Sequence, residues 1–195
     1  AYIQGWILLA VALPVLLRWG VENVTRRRLL VALMVVCTLP HLLGMFAMTA
    51  QKGRPSLDGL RWMDDGDRAI VESLRKEPNG TLVVEAVGPA YTNYGRFSAA
   101  SGVPALLGWE NHEMVWRGDE ILDETGRRRE IVNEIYTCRD TDRIRQLAAE
   151  NSIDLVAIGT LERRDFNPLD LAAVMDAGEV ALREGKASLV RFANQ

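Results

Sequence analysis

Two short stretches concentrate the side chains that could do chemistry. The first runs Gly108-Trp109-Glu110-Asn111-His112-Glu113-Met114-Val115-Trp116-Arg117-Gly118 and gathers two tryptophans, a histidine, two acids and an arginine just after an apolar run. The second, Tyr91-Thr92-Asn93-Tyr94-Gly95-Arg96, follows an apolar strand that ends near Glu85. Aromatic faces beside Arg, Asn and Glu suit recognition of a sugar or a peptide, because the rings stack while the polar groups fix orientation. The same residues (Glu85, Tyr91, Tyr94, Arg96, Trp109, His112, Glu113, Trp116 and Arg117) also read as an internal polar network. In that reading Trp rings fill the core and Arg–Glu pairs tie loops down, and it is the favoured one. Glu85 is either a general base with a raised pKa or a partner for Arg96 or Arg117; with no matched second group, the structural role is preferred. Glu162-Arg163-Arg164 reads as a solvated loop, with Arg163 able to join the same network.

Other chemistries lack their residues. The glycines at 80, 88, 95, 102 and 108 are too scattered for a phosphate-cradling or dinucleotide-binding loop. His112 is the only histidine after residue 54, no Cys/His group has metal-ligand spacing, and no G-x-S-x-G elbow occurs. No catalytic residue, cofactor or metal is assigned.

The elements that must position these side chains divide into two chemically different parts. Residues 1–54 hold Arg18, Arg26, Arg27, Arg28, Lys52 and Arg54 against one acid, Glu22, so this part is about +5. Of the 23 basic and 26 acidic residues of the 195-residue chain, 17 and 25 remain for residues 55–195, about −8. Nucleic acid is a poor partner for so acidic a part. Residues 2–17 carry no charge, and 29–50 hold only His41 as a titratable group. These lengths approach the roughly 20 apolar residues of a membrane-crossing helix. Residues 1–50 are therefore expected to form two transmembrane helices, kinked at Pro14 and Pro40. The intervening RWGVENVTRRR loop lies on the cytoplasmic side by its four arginines. Residues 51–60 read as a linker, and 61–195 as an extracytoplasmic (periplasmic) domain of an inner or plasma membrane protein. Cys37 and Cys138 fall in different parts, so no bridge is expected between them.

In the acidic part, helices are expected over 66–76, 123–136, 140–151 and 168–176, each from apolar residues at helical spacing. Strands are expected at 81–88, 104–109 and 153–159, and the runs 179–183 and 187–192 flank Glu184-Gly185-Lys186 as a terminal hairpin. Helices alternating with short apolar strands imply a Rossmann-like α/β domain, its sheet mostly parallel with an antiparallel edge hairpin.

The pieces LDGLRWM (57–63), VVEAVGPAYTNYGRFSAASGVPALLGWENHEMVWRG (83–118), IVNEIY (131–136) and VAIGTLERR (156–164) occur in that order. They resemble the C-terminal part of the YYY-type family, large uncharacterised polytopic membrane proteins of archaea and bacteria grouped with GT-C glycosyltransferases. The resemblance implies an extracytoplasmic C-terminal domain. It supplies no catalytic residue, because enzymes of the GT-C class hold their catalytic acid in an early loop between spans. Three roles follow: a membrane-anchored, non-catalytic accessory or scaffold subunit packing on a larger membrane assembly, energy-transducing or photosynthetic among others; the tail of a GT-C-like enzyme acting on lipid-linked sugars; or an extracytoplasmic sugar-binding module. The expected partners are the lipid bilayer, membrane proteins and a glycan.

Overall fold

A computed structural model describes residues 57–192 and, before them, residues 24–29, 31–32, 35–36 and 39. The chain divides into two compact units, Ala1–Leu57 and Asp58–Gln195. In the first, the described residues before residue 40 are helical and include the arginine run Arg26–Arg28. Among the described residues no helix is long and apolar enough to cross a membrane. The expectation of two transmembrane helices is corrected accordingly. The described helical stretch starts before the three arginines rather than after them, which puts charge where a span needs hydrocarbon. The inner or plasma membrane location and the extracytoplasmic placement rested on those helices and are withdrawn with them. Residues 1–23 and 40–56, with His41, Pro14 and Pro40, lie outside the described residues, as does Cys37.

The second unit is built on a four-stranded sheet. Its elements are α1 (Asp65–Leu74), β1 (Val83–Val84), α2 (Arg96–Ser101), α3 (Glu110–Arg117), a 3-10 turn (Asp119–Ile121), α4 (Leu122–Thr137), α5 (Thr141–Glu150), β2 (Leu155–Ile158), α6 (Thr160–Asp165), α7 (Pro168–Ala177), β3 (Glu179–Glu184) and β4 (Ala187–Arg191). Strand order is β1-β2-β4-β3. Only β1 and β2 run parallel; β2–β4 and β3–β4 are antiparallel, so the sheet is mixed, not mostly parallel. The reason is that the hairpin does not decorate the edge of a parallel sheet. Its second strand inserts beside β2, Val156 opposite Val190 and Ile158 opposite Ser188.

Local chemistry accounts for the helices. Asp64 caps α1 by accepting from the Asp67 amide, and Ile70, Val71 and Leu74 fall on its buried face. Asp140 caps α5 and Asn167 caps α7, where Pro168 opens the first turn. The pleat sends alternate strand residues to opposite layers. Val83, Leu155, Ala157 and Leu189 pack under α1 and α2 with Phe97. Val84, Val156, Ile158 and Val190 pack under α4, α5 and α7 with Ile135, Tyr136, Ile144 and Val174. The expected strand at 81–88 contracts to two residues, and that at 104–109 to one parallel bridge between Val83 and Ala105.

Candidate functional site

The carboxyl ends of β1 and β2 converge on one point, the place where open α/β sheets hold ligands. There β1 delivers Glu85, the chain after it returns with Arg96 at the start of α2, and Gly159 leads from β2 into α6. Helix α2 begins at Gly95 (φ 76°) with no side-chain cap of its own. Glu85 supplies it from the strand, accepting from the Phe97 amide at 2.9 Å and the Ser98 amide at 2.8 Å. Glu162 does the same for α6: it accepts from Gly159 N at 2.8 Å and from Ala86 N at 2.9 Å. Arg96 lies between acids, donating from Nε to Asp67 at 2.7 Å and from Nη2 to Glu162 at 2.8 Å. The second Asp67 oxygen accepts from the Thr160 amide. The guanidinium also lies over the Phe97 ring, 4.0 Å from its centroid.

This cluster is closed. Glu85, Asp67, Arg96 and Glu162 are at most 4 % exposed, and each oxygen of the three carboxylates accepts a hydrogen bond. Burial pushes the Glu85 carboxyl above its ordinary range against the pull of the two amides, with the Glu162 charge adding to the rise. Burial alone would lower the Arg96 pKa, but Glu162 and Asp67 raise it, so the guanidinium stays charged. Tyr136, on α4, donates its hydroxyl to the Ala157 carbonyl at 2.6 Å, beneath the same cluster. Burial drives its pKa well up, and the Glu162 and Glu85 charges push the same way.

Asp67, Glu162 and Tyr136 were not among the expected site residues. Glu162 had a signal in the sequence: it stands three residues after Gly159 at the end of an apolar strand, the spacing of a helix-capping acid. The reading of 162–164 as a solvated loop is corrected, since these residues lie in α6 and Glu162 is fully buried. Tyr94 lies outside the cluster: its hydroxyl is 2.6 Å from Asp165, to which it donates, and accepts from Arg164 at 2.7 Å.

Within the Gly108–Gly118 stretch, Glu110–Arg117 form helix α3. Glu110 and Glu113 lie in its first turn and Arg117 in its last, the signs that the helix dipole favours, and Gly118 ends it with φ 80°. Glu113 accepts from the Gly108 amide at 3.1 Å, and Trp109 donates from Nε1 to the Tyr94 carbonyl at 2.7 Å. Trp109, His112 and Tyr91 form an aromatic group with ring centroids 4.9 to 5.6 Å apart. Tyr91 is 84 % exposed and has φ 61°, a left-handed conformation that non-glycine residues adopt at a cost. Beside it Gly88, Pro89, Glu110, Asn111 and Arg129 line a cleft of about 220 Å³.

No residue of α3 is buried. His112, Glu113 and Trp116 share one face by their i, i+3 and i+4 spacing. His112 and Glu113 touch the rest of the unit, whereas Trp116 is 83 % exposed, as is Val115. The expectation that Trp116 fills the core is corrected: the face of α3 that carries His112 and Glu113 is left uncovered at its last turn. Arg117 is exposed there too, so neither it nor Trp116 joins the buried network. Among the described residues no group of acids, histidines and cysteines is placed to hold a metal. Comparison with protein-family models, with curated proteins and with solved structures finds no match to this chain.

Proposed function

We propose that the unit from Asp58 onward is a non-catalytic docking module, an accessory or scaffold part of a larger protein assembly, and that the overhanging end of α3 is its contact surface. The observation that carries this is Trp116: a large aromatic, on the face that α3 turns inward, left 83 % exposed. Tryptophan in such a position is the side chain that most often anchors a protein interface. An eight-residue helix with nothing buried also has little holding it in isolation. The occupant is a protein surface offering an apolar pocket to Trp116, Val115 and the 47 % exposed Leu122, with lysines or arginines at its rim. The cationic rim follows from charge: Glu120 and Asp123 are exposed beside the patch, and residues 55–195 carry 25 acids against 17 bases. A catalytic role finds no free acid or base in the buried cluster, since its carboxylates are engaged by the chain's own amides and Arg96. The resemblance of residues 83–118 to the YYY-type C-terminal part supports the same reading, because α3 lies within the matching stretch.

The test is a photo-crosslinking side chain at position 115 of the full chain, expressed in its source cells, with Gln146 on α5 as the comparison position. A single protein adduct at 115, lost on Trp116→Glu, is expected; equal labelling at 115 and 146 refutes the docking face.

A second reading has its own observation. The exposed, left-handed Tyr91 beside the Glu110–Asn111–Arg129 cleft suits a sugar ring, which would stack on the phenol and hydrogen-bond to the polar wall. Saturable binding of a glycan that Tyr91→Ala removes and Trp116→Ala leaves intact would favour it.

A further inference from the structure

Beyond the closed cluster, at the carboxyl end of β2, the second unit leaves an open cleft of about 610 Å³. Its walls are the first turn of α1, the β2–α6 connection and the β3–β4 turn, with Asp65, Arg163, Glu184 and Lys186 among the lining side chains. The backbone amides that a phosphate would use at such a place are already taken. Asp64 accepts from Asp67 N at 2.7 Å, Asp67 from Thr160 N at 2.9 Å and Glu162 from Gly159 N at 2.8 Å. The chain thus fills its own anion positions with carboxylates, and a multiply charged phosphate would meet them as repulsion.

The charged side chains that line the cleft are a different matter. Nε of Arg163 is buried with no hydrogen-bond partner, one of three such side-chain atoms among the described residues. Such a group is expensive to leave unmade and calls for an explanation. Burial lowers the Arg163 pKa, the Arg183 charge pushes the same way, and the Glu162 and Asp67 charges offset this only in part. Lys186, on the hairpin turn, Asp65 and Glu184 also line the cleft, and none of these three enters an ion pair or side-chain hydrogen bond among the described residues. Two free cations and two free acids around one cavity match a ligand that carries both signs.

We propose that this cleft binds a small zwitterion of the α-amino acid class, its carboxylate against Arg163 and Lys186 and its ammonium toward Asp65 and Glu184. This site is separate from the α3 docking face and does not depend on it. The cavity accommodates an amino acid or a dipeptide, and the Gly185 turn (φ 56°) keeps its rim free of a side chain between Glu184 and Lys186.

The experiment uses the full chain and titrates it with glycine, L-alanine, L-glutamate and L-lysine. Acetate and methylamine serve as single-charge comparisons, and binding is followed calorimetrically and by amide shifts at residues 159–164 and 184–187. At least one amino acid binds with a Kd below about 1 mM, and acetate and methylamine bind about tenfold or more weakly. Arg163→Gln and, at the exposed position, Lys186→Gln each weaken binding about tenfold or more, while Arg129→Gln changes nothing. The proposal is overturned if no amino acid binds by about 10 mM, if acetate alone binds as well as the amino acid, or if folded Arg163→Gln and Lys186→Gln proteins bind as the parent does.

Discussion

Replacing Arg96 by methionine tests the reading of the buried cluster as structural. The side chains of Arg96 and of its two partners, Asp67 and Glu162, are 2 %, 5 % and 0 % exposed, so water does not replace the lost donors. Methionine has a similar length and fills most of the volume. The loss is therefore electrostatic: two buried carboxylates lose their shared cation at once. Removing one side of a buried ion pair costs about 3–5 kcal/mol. Against a total stability of about 5–15 kcal/mol this is a large fraction. With a urea slope of about 2 kcal/mol per molar, the unfolding midpoint of the second unit falls by about 2 M. Urea titration followed by circular dichroism measures it. Because the group is buried, raising NaCl from about 0.1 to 1 M, which shortens the screening length from about 10 to 3 Å, leaves the difference between the two proteins nearly unchanged. Adding Glu162→Gln to Arg96→Met removes one of the stranded charges and recovers about 1–2 kcal/mol, a coupling that neighbours in one network show. A loss below about 1 kcal/mol for Arg96→Met, or strict additivity of the two substitutions, refutes the closed-cluster account.

Trp116→Ala leaves stability within about 0.5 kcal/mol because the ring is exposed, whereas Trp109→Ala costs about 1–3 kcal/mol through the half-buried ring and its bond to the Tyr94 carbonyl; thermal unfolding separates the two. Gly159→Ala costs about 1–3 kcal/mol, since a Cβ there would run into the Asp67 carboxylate, the Arg96 guanidinium and the Phe97 ring, and its melting temperature falls accordingly. Glu85 gives a pH signature. Its folded pKa is raised above 4.5 by burial, so its contribution to stability is complete below the unfolded value and declines as pH rises through the folded one. The melting temperature of the parent relative to Glu85→Gln is therefore highest at and below about pH 4.5 and falls as pH rises above it, and a flat difference contradicts the assignment. Asp64 acts in the opposite sense: the Thr160 hydroxyl and the Asp67 amide hold its pKa below 3.8, so its contribution is present above that pH and lost as pH falls through the lower folded value.

The sequence was most legible where one period dominated. Leu155–Ile158 lies within the expected strand 153–159, and α4, α5 and α7 begin and end within two residues of the positions that caps and helical spacing predict. Legibility failed where position in space, not local pattern, decides. Helix α3 carries Met114, Val115 and Trp116 consecutively, which shows no helical stripe; its ends are set by dipole-matched charges and by Gly118. Sheet topology also depends on long-range pairing, and nothing local to 187–191 indicates that it inserts between β2 and β3. In the site, Glu85 and Arg96 stood out as charges at strand and loop ends. Asp67 looked like one more acid in a helix's first turn, and its burial against Arg96, 29 residues away, has no local signature.

The docking claim is tested most directly by amide hydrogen exchange over Glu110–Arg117. The exchange is measured on the full chain alone and on the assembly gently purified from its source cells. Alone, with no residue buried, the helix exchanges rapidly. In the assembly, exchange slows about tenfold or more at a partner concentration well above its Kd, and the effect is absent in Trp116→Glu. Equal exchange in the two samples, with protection appearing elsewhere, would contradict α3 as the contact surface.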